Sequence, residues 1–226
     1  MKYYNIKTGK FISRPNRFIA IVEIDGREEI CHVKNTGRCK ELLLPGARVF
    51  LQEFDTEKRK TKYDLIAVYK SERLINMDSQ APNKVFGEWA KESGYFKNLT
   101  LIKPEQKYGD SRFDFYIEDG DRKIFVEVKG VTLEKDGVAL FPDAPTERGV
   151  KHINELCKAK KNGYEAIIAF VIQMKGIKVF KPNKETHPEF AAALKKAANS
   201  GVEILCLDCI VAENELKIDG FIPGEI

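Results

Sequence analysis

The stretch Ser111-Arg-Phe-Asp-Phe-Tyr-Ile-Glu-Asp-Gly-Asp-Arg-Lys-Ile-Phe-Val-Glu-Val-Lys129 decides how the rest of the chain is read. Two runs rich in aromatic and β-branched residues flank Asp119-Gly120-Asp121, which predicts a hairpin of strands 111–117 and 123–129. With Asp119–Arg122 as the loop, Glu118 stands opposite Lys123. Asp114 then stands opposite Glu127, with Cβ atoms about 4.5–5.5 Å apart. Lys129, two residues beyond Glu127, shares its face and sits opposite Arg112. Phe113, Phe115, Ile117, Ile124, Val126 and Val128 form the other face, wholly apolar and expected against the core. Opposed carboxylates repel unless something neutralises them. A divalent cation does so, and carboxylate oxygens suit Mg²⁺ or Mn²⁺. The pattern also suits an amphipathic hairpin with a solvated polar face, and a one-residue slip would remove the pairing.

Working outward, the first 80 residues read as short strands separated by turns. Phe18–Ile24 and Glu29–Val33 flank the hairpin signal Asp25-Gly26, and Arg48–Phe54 follows Pro45-Gly46. Tyr63–Tyr69 comes after a charged tip, residues 56–62. Four or five such strands predict a small barrel of the OB type. Beyond Pro82 the period changes. A helix is predicted over 83–93, a second from about 147 to 162 with Thr146 as N-cap, and a third over 188–199. Ala166–Ile172 reads as a buried strand, and Val202–Asp208 as another. The fold class is thus α/β (α+β): an OB-like barrel over residues 1–80, then an α/β domain over 81–226.

The chain has 38 Lys and Arg against 34 Asp and Glu, a net +4. Residues 1–80 carry 16 and 11 of these, a balance of +5, so the positive charge belongs to the barrel. A basic barrel suits nucleic acid. No run approaches the ~18 apolar residues of a membrane span, so no membrane partner is expected. The start, Met-Lys-Tyr-Tyr-Asn-Ile-Lys, lacks the apolar run of a signal peptide, which predicts a cytoplasmic protein. Five cysteines, an odd number at irregular spacing, predict reduced thiols. Cys206-Leu-Asp-Cys209 supplies only half the ligands of a structural zinc and lies in an apolar run, so a buried strand is expected there. No glycine-rich phosphate loop is present, which argues against ATP.

A helix, a hairpin bearing Asp114 and then Glu127-Val-Lys129, a second helix and a strand resemble the αβββαβ core of the PD-(D/E)xK nuclease superfamily. Phe113 stands where the literal signature has Pro. The resemblance implies that Asp114 and Glu127 bind the metal with the Val128 carbonyl, and that Lys129 orients or activates the attacking water. It also implies a further carboxylate on the first helix, for which Glu88 is the candidate and Glu105 the rival. More extended blocks are similar to the sugar fermentation stimulation protein family: His32-Val-Lys-Asn-Thr-Gly-Arg38 with Glu41–Gly46, Ser111–Asp114, Glu127–Leu133 and Phe141–His152. That resemblance implies an OB-like domain, a nuclease-like domain, DNA binding, and a regulatory link to sugar use, notably maltose genes in enteric bacteria. Three readings stay open: a Mg²⁺- or Mn²⁺-dependent deoxyribonuclease, a non-catalytic DNA-binding regulator on the same scaffold, and an interaction module for RNA or protein with the carboxylates on a solvated face.

Arg148 and His152, four apart on one helix face, are placed to contact a scissile phosphate, with Val150, Ile153, Leu156 and Cys157 turned inward. In the barrel, Lys34, Thr36, Gly37, Arg38 and Lys40 form a basic loop suited to a phosphate oxygen. Arg112 joins this DNA-binding set. Tyr3, Tyr4, Phe11 and Phe18 are candidates for stacking on bases, with the core as the alternative for most of them.

Overall fold

The computed structural model describes residues 1–35, 37–55 and 59–226. Six strands open the chain: β1 (Ile6–Asn16), β2 (Ile19–Ile24), β3 (Arg27–Val33), β4 (Arg48–Glu53), β5 (Tyr63–Lys70) and β6 (Arg73–Asn76). Their order is β3-β2-β1-β4-β5-β6, and a parallel β3–β5 pairing closes five of them into the expected barrel. The β2–β3 turn has φ of 52° at Asp25 and 76° at Gly26, the left-handed pair that a two-residue hairpin turn requires.

The second domain follows as α1 (Ala81–Glu92), β7 (Leu99–Tyr108), β8 (Ser111–Asp119), β9 (Arg122–Val131), β10 (Leu133–Lys135), β11 (Val138–Phe141), α2 (Glu147–Lys161), β12 (Glu165–Ile172), β13 (Val179–Pro182), α3 (Pro188–Asn199), β14 (Glu203–Ala212) and β15 (Glu215–Phe221). Its main sheet runs β15-β14-β12-β9-β8-β7, with β9, β12 and β14 mutually parallel. Along β12 the side chains alternate: Ile167, Ala169 and Val171 pack with Val85 and Phe86 of α1, while Ile168, Phe170 and Ile172 pack with Leu156 of α2 and Phe190 of α3. The sheet is therefore covered on both faces, which is why this strand is a continuous apolar run. Thr146 caps α2 as expected, its hydroxyl accepting the Gly149 amide at 3.0 Å.

Barrel and sheet meet through buried polar groups. The Gln173 side-chain amide donates to the Asn76 carbonyl (3.2 Å), Asn76 Oδ1 (2.9 Å) and the Asp78 carbonyl (3.1 Å). Glu134 accepts from Lys70 at 2.7 Å and Arg73 at 2.9 Å. The core is continuous as well: Val22, Leu51 and Val68 of the barrel belong to the same apolar cluster as Phe113, Phe125 and Phe170. Among the described residues, no helix is long and apolar enough to cross a membrane.

Candidate metal centre and nucleic-acid interface

The hairpin keeps the expected register, with Phe115 opposite Val126 and Glu118 opposite Lys123. The turn is tighter than expected. Asp119 pairs with Arg122, leaving Gly120-Asp121 at the tip with Gly120 at φ 62°. At the other end the ladder with β9 stops at Phe115. On the outer side Pro104 pairs with Phe115 and Gln106 with Phe113, so Glu105 (φ 54°) and Asp114 are both skipped. Asp114 thus has no ladder partner on either side. Its carboxylate instead accepts the Val128 amide at 2.8 Å on Oδ2 and the Asn83 side-chain amide of α1 at 2.8 Å on Oδ1.

This irregularity corrects the expectation of one apolar face and one polar face. Phe113 packs on Phe125, ring centroids 5.3 Å apart, and lies near His152 of α2. Phe115 packs on Phe86 of α1 instead, at 5.4 Å. The alternation breaks at Asp114, because a residue outside the ladder is not held to the pleat.

Glu127, almost fully buried, gathers the rest of the site. Its Oε1 takes the Lys129 ammonium at 2.5 Å and a short contact from His152 Nδ1. The Arg148 Nε–H, which can only donate, points at His152 Nε2 at 3.4 Å; Nε2 is then the acceptor, and Nδ1 carries the proton that it donates to Glu127. Burial pushes the Glu127 carboxyl up, but His152 and Lys129 outweigh it and hold the group below the usual carboxylate range. Asp114 moves the opposite way, raised by burial and then by the negative charge of Glu127. His152 itself is buried, turned inward with the apolar residues of α2.

The donor set fits a hard divalent cation. Glu127 Oε2 is buried and has no hydrogen-bond partner, and Asp114 beside it has its carboxyl raised by burial and then by the Glu127 charge. Among the described residues no three His, Cys, Asp or Glu side chains converge on one point. Two carboxylates and a backbone carbonyl, with waters completing the shell, are what Mg²⁺ commonly accepts. The cysteines lie elsewhere. All five are free and buried, and Cys206 and Cys209 pack in the cores on opposite faces of β14, so they cannot share a ligand.

Residues 12–77 match the family model of the SfsA N-terminal OB domain, and residues 80–215 match that of the sugar fermentation stimulation protein RE domain. The chain belongs to the sugar fermentation stimulation protein family. The family homologue of Desulfitobacterium hafniense (strain Y51) is 66% identical over 226 residues, covering 100% of this chain and 99% of its own. That of Clostridium beijerinckii is 60% identical over 222 residues, covering 98% of each. The structure of Pyrococcus furiosus SfsA in complex with Ca²⁺ superposes with a TM-score of 0.91 at 31% identity, over 100% of this chain and 98% of that one.

In this member of the family the structure brings Asp114, Glu127, Lys129 and His152 together, with Val128 linked to Asp114 through its amide and Arg148 exposed at the helix edge. Glu88 is not among them. Its carboxylate accepts the Met1 amino group at 2.7 Å, five residues along α1 from Asn83 and so turned to another side of the helix. Glu105 is exposed and its nearest cation is Arg112, at 3.6 Å. The α1 contribution is Asn83, which carries no charge and gave no signal beyond its place in the first helical turn.

The basic loop of the barrel is more committed than its sequence implies. Lys34 is paired at 2.6 Å with buried Asp78. Arg14 donates to the carbonyls of Asn35, Gly37 and Arg38, which shapes the loop from beneath. A Cβ on Gly37 would lie 2.5 Å from Asp143 Oδ2 and 2.9 Å from Asn35 Oδ1, so the loop lies close against the second domain there. Arg38 and Lys40 are exposed, while Thr36 and the tip residues Thr56, Glu57 and Lys58 lie outside the described residues. Tyr3 and Phe11 are core residues; Tyr4 and Phe18 are exposed.

Proposed function

We propose that the protein binds DNA and hydrolyses phosphodiester bonds with a divalent cation held by Asp114, Glu127 and the Val128 carbonyl. The observation that carries this reading is the buried, partnerless Glu127 Oε2 beside Asp114. A relative bound to Ca²⁺, an ion that takes the same oxygen ligands, supports it. When bound, Mg²⁺ or Mn²⁺ would lower the pKa of water and offset negative charge on the phosphodiester. The chain's own groups do the positioning. Asn83 and the Val128 amide aim Asp114, and His152 aims Glu127. The Lys129 ammonium stands where an attacking water and a developing oxyanion need a cation. Arg148, exposed beside His152, is placed to hold a phosphate oxygen. Five buried, free thiols accord with work in a reducing cytoplasm.

The second reading is a DNA-binding regulator of sugar metabolism that keeps this scaffold without turnover. It is favoured by the Lys129–Glu127 pair, which commits the ammonium while no cation is bound. Incubation of single- and double-stranded DNA with Mg²⁺ or Mn²⁺, beside Asp114→Ala and Lys129→Ala, decides between them. Cleavage by the wild type, lost in both variants, is expected. Cleavage surviving in both overturns the assigned site, and tight, salt-sensitive binding without cleavage selects the regulator.

A further inference from the structure

A cleft of 620 Å³ opens where the barrel meets the first turn of α1. We propose that this cleft holds a single DNA strand and leads it to the Asp114–Glu127 site, so that the substrate is single-stranded DNA or an unpaired arm of a duplex. The proposal rests on the DNA-hydrolysing reading above and names its substrate.

The cleft wall presents flat, stackable groups. Phe18 is 44% exposed, with the Arg17 guanidinium 4.8 Å from its ring centre. The Arg59 guanidinium lies 3.8 Å from the ring centre of Phe54. Aromatic and guanidinium planes bind the faces of unstacked bases, which an intact duplex keeps turned to one another. The acidic groups in the cleft do not repel phosphate. Asp64 is buried and paired with Arg59, and Asp78 is buried and paired with Lys34. Lys84, exposed on the rim, adds positive charge for the backbone.

The α1 side of the cleft borders the segment that reaches Asp114. Gln80, just before α1, and Lys84 of α1 line it, and Asn83, next to Lys84 in the chain, donates to Asp114. Across the 77–80 junction, a smaller cleft of 170 Å³ is lined by Asn35, Ser79 and Gly130, and Gly130 directly follows Lys129. A strand lying in the barrel cleft thus passes Lys84, the neighbour along α1 of the residue that aims Asp114.

Fluorescence anisotropy tests this with the full chain in EDTA, using labelled oligothymidylate of about 16 nucleotides and a duplex of equal length. The single strand is expected to bind at least about tenfold more tightly. Phe18→Ala should weaken that binding about tenfold and leave duplex binding unchanged, and Phe18→Trp should restore it. Equal affinity for duplex, or a Phe18→Ala protein that holds the single strand like the wild type, overturns the proposal. Because no cation is present, these outcomes are independent of whether the carboxylate site hydrolyses anything.

Discussion

Lys129, half-buried, pairs at 2.5 Å with one carboxylate oxygen of buried Glu127, while the other oxygen of Glu127 has no partner. One carboxylate thus faces two ways: toward the side chains that hold it and toward the place where a cation would sit. The two roles can be separated by mutation. His152→Ala removes the group that orients Glu127 and should weaken Ca²⁺ binding by about 10- to 100-fold in calorimetric titration. Lys129→Met removes a competitor for Oε1, so it should leave Ca²⁺ affinity intact or higher while abolishing cleavage.

Glu134 makes the barrel–sheet junction sensitive to acid. Burial raises its carboxyl, but Lys70, the Gly137 amide and Arg73 outweigh that and lower it overall. A lowered carboxylate stabilises the fold above the unfolded value of about 4.3, and that contribution is lost as pH falls through the folded value. Glu134→Gln should cost about 1–3 kcal/mol in urea unfolding at pH 7. The gap from wild type should shrink as the pH is taken from about 5 toward 3.

Gly130 admits no side chain. A Cβ there would lie 2.6 Å from both Gln173 Oε1 and Pro82 Cγ. Gly130→Ala should therefore lower stability by about 1–3 kcal/mol, as overpacking of a dense interior does. Thermal unfolding measures it, and an unchanged midpoint would show that the junction yields without cost.

Arg14 supports the basic loop through three of its carbonyls. Arg14→Met should leave those carbonyls without a donor, increase proteolytic nicking near residues 35–38 and weaken DNA binding, although Arg14 need not touch DNA. Limited proteolysis beside an anisotropy titration reads both effects.

Much of this was legible in the chain. The Asp25-Gly26 turn, the Thr146 cap, the hairpin register from Phe115–Val126 to its tip and the apolar run of β12 are local signals, since turn chemistry, capping and burial period act over a few residues. β1 and β7 carry no such signal. β1 carries Gly9 and Pro15 and bulges against β2, and β7 is exposed along most of its length with Pro104 and a left-handed Glu105 inside it. Neither keeps the alternation that marks a strand.

For this protein the sequence by itself determined the two-domain composition, the family, and a hairpin in which Asp114, Glu127 and Lys129 come near one another. The first and the last follow from short-range spacing, and the family from the resemblance of its motif blocks. Only the tertiary structure decided that Asn83 rather than Glu88 reaches Asp114, that His152 turns inward to Glu127, and that Phe113 and Phe115 part to opposite cores. Those outcomes depend on how helices α1 and α2 settle on the two faces of one sheet. A side chain's partner across such an interface is set by packing between segments distant in the chain, which no local period records.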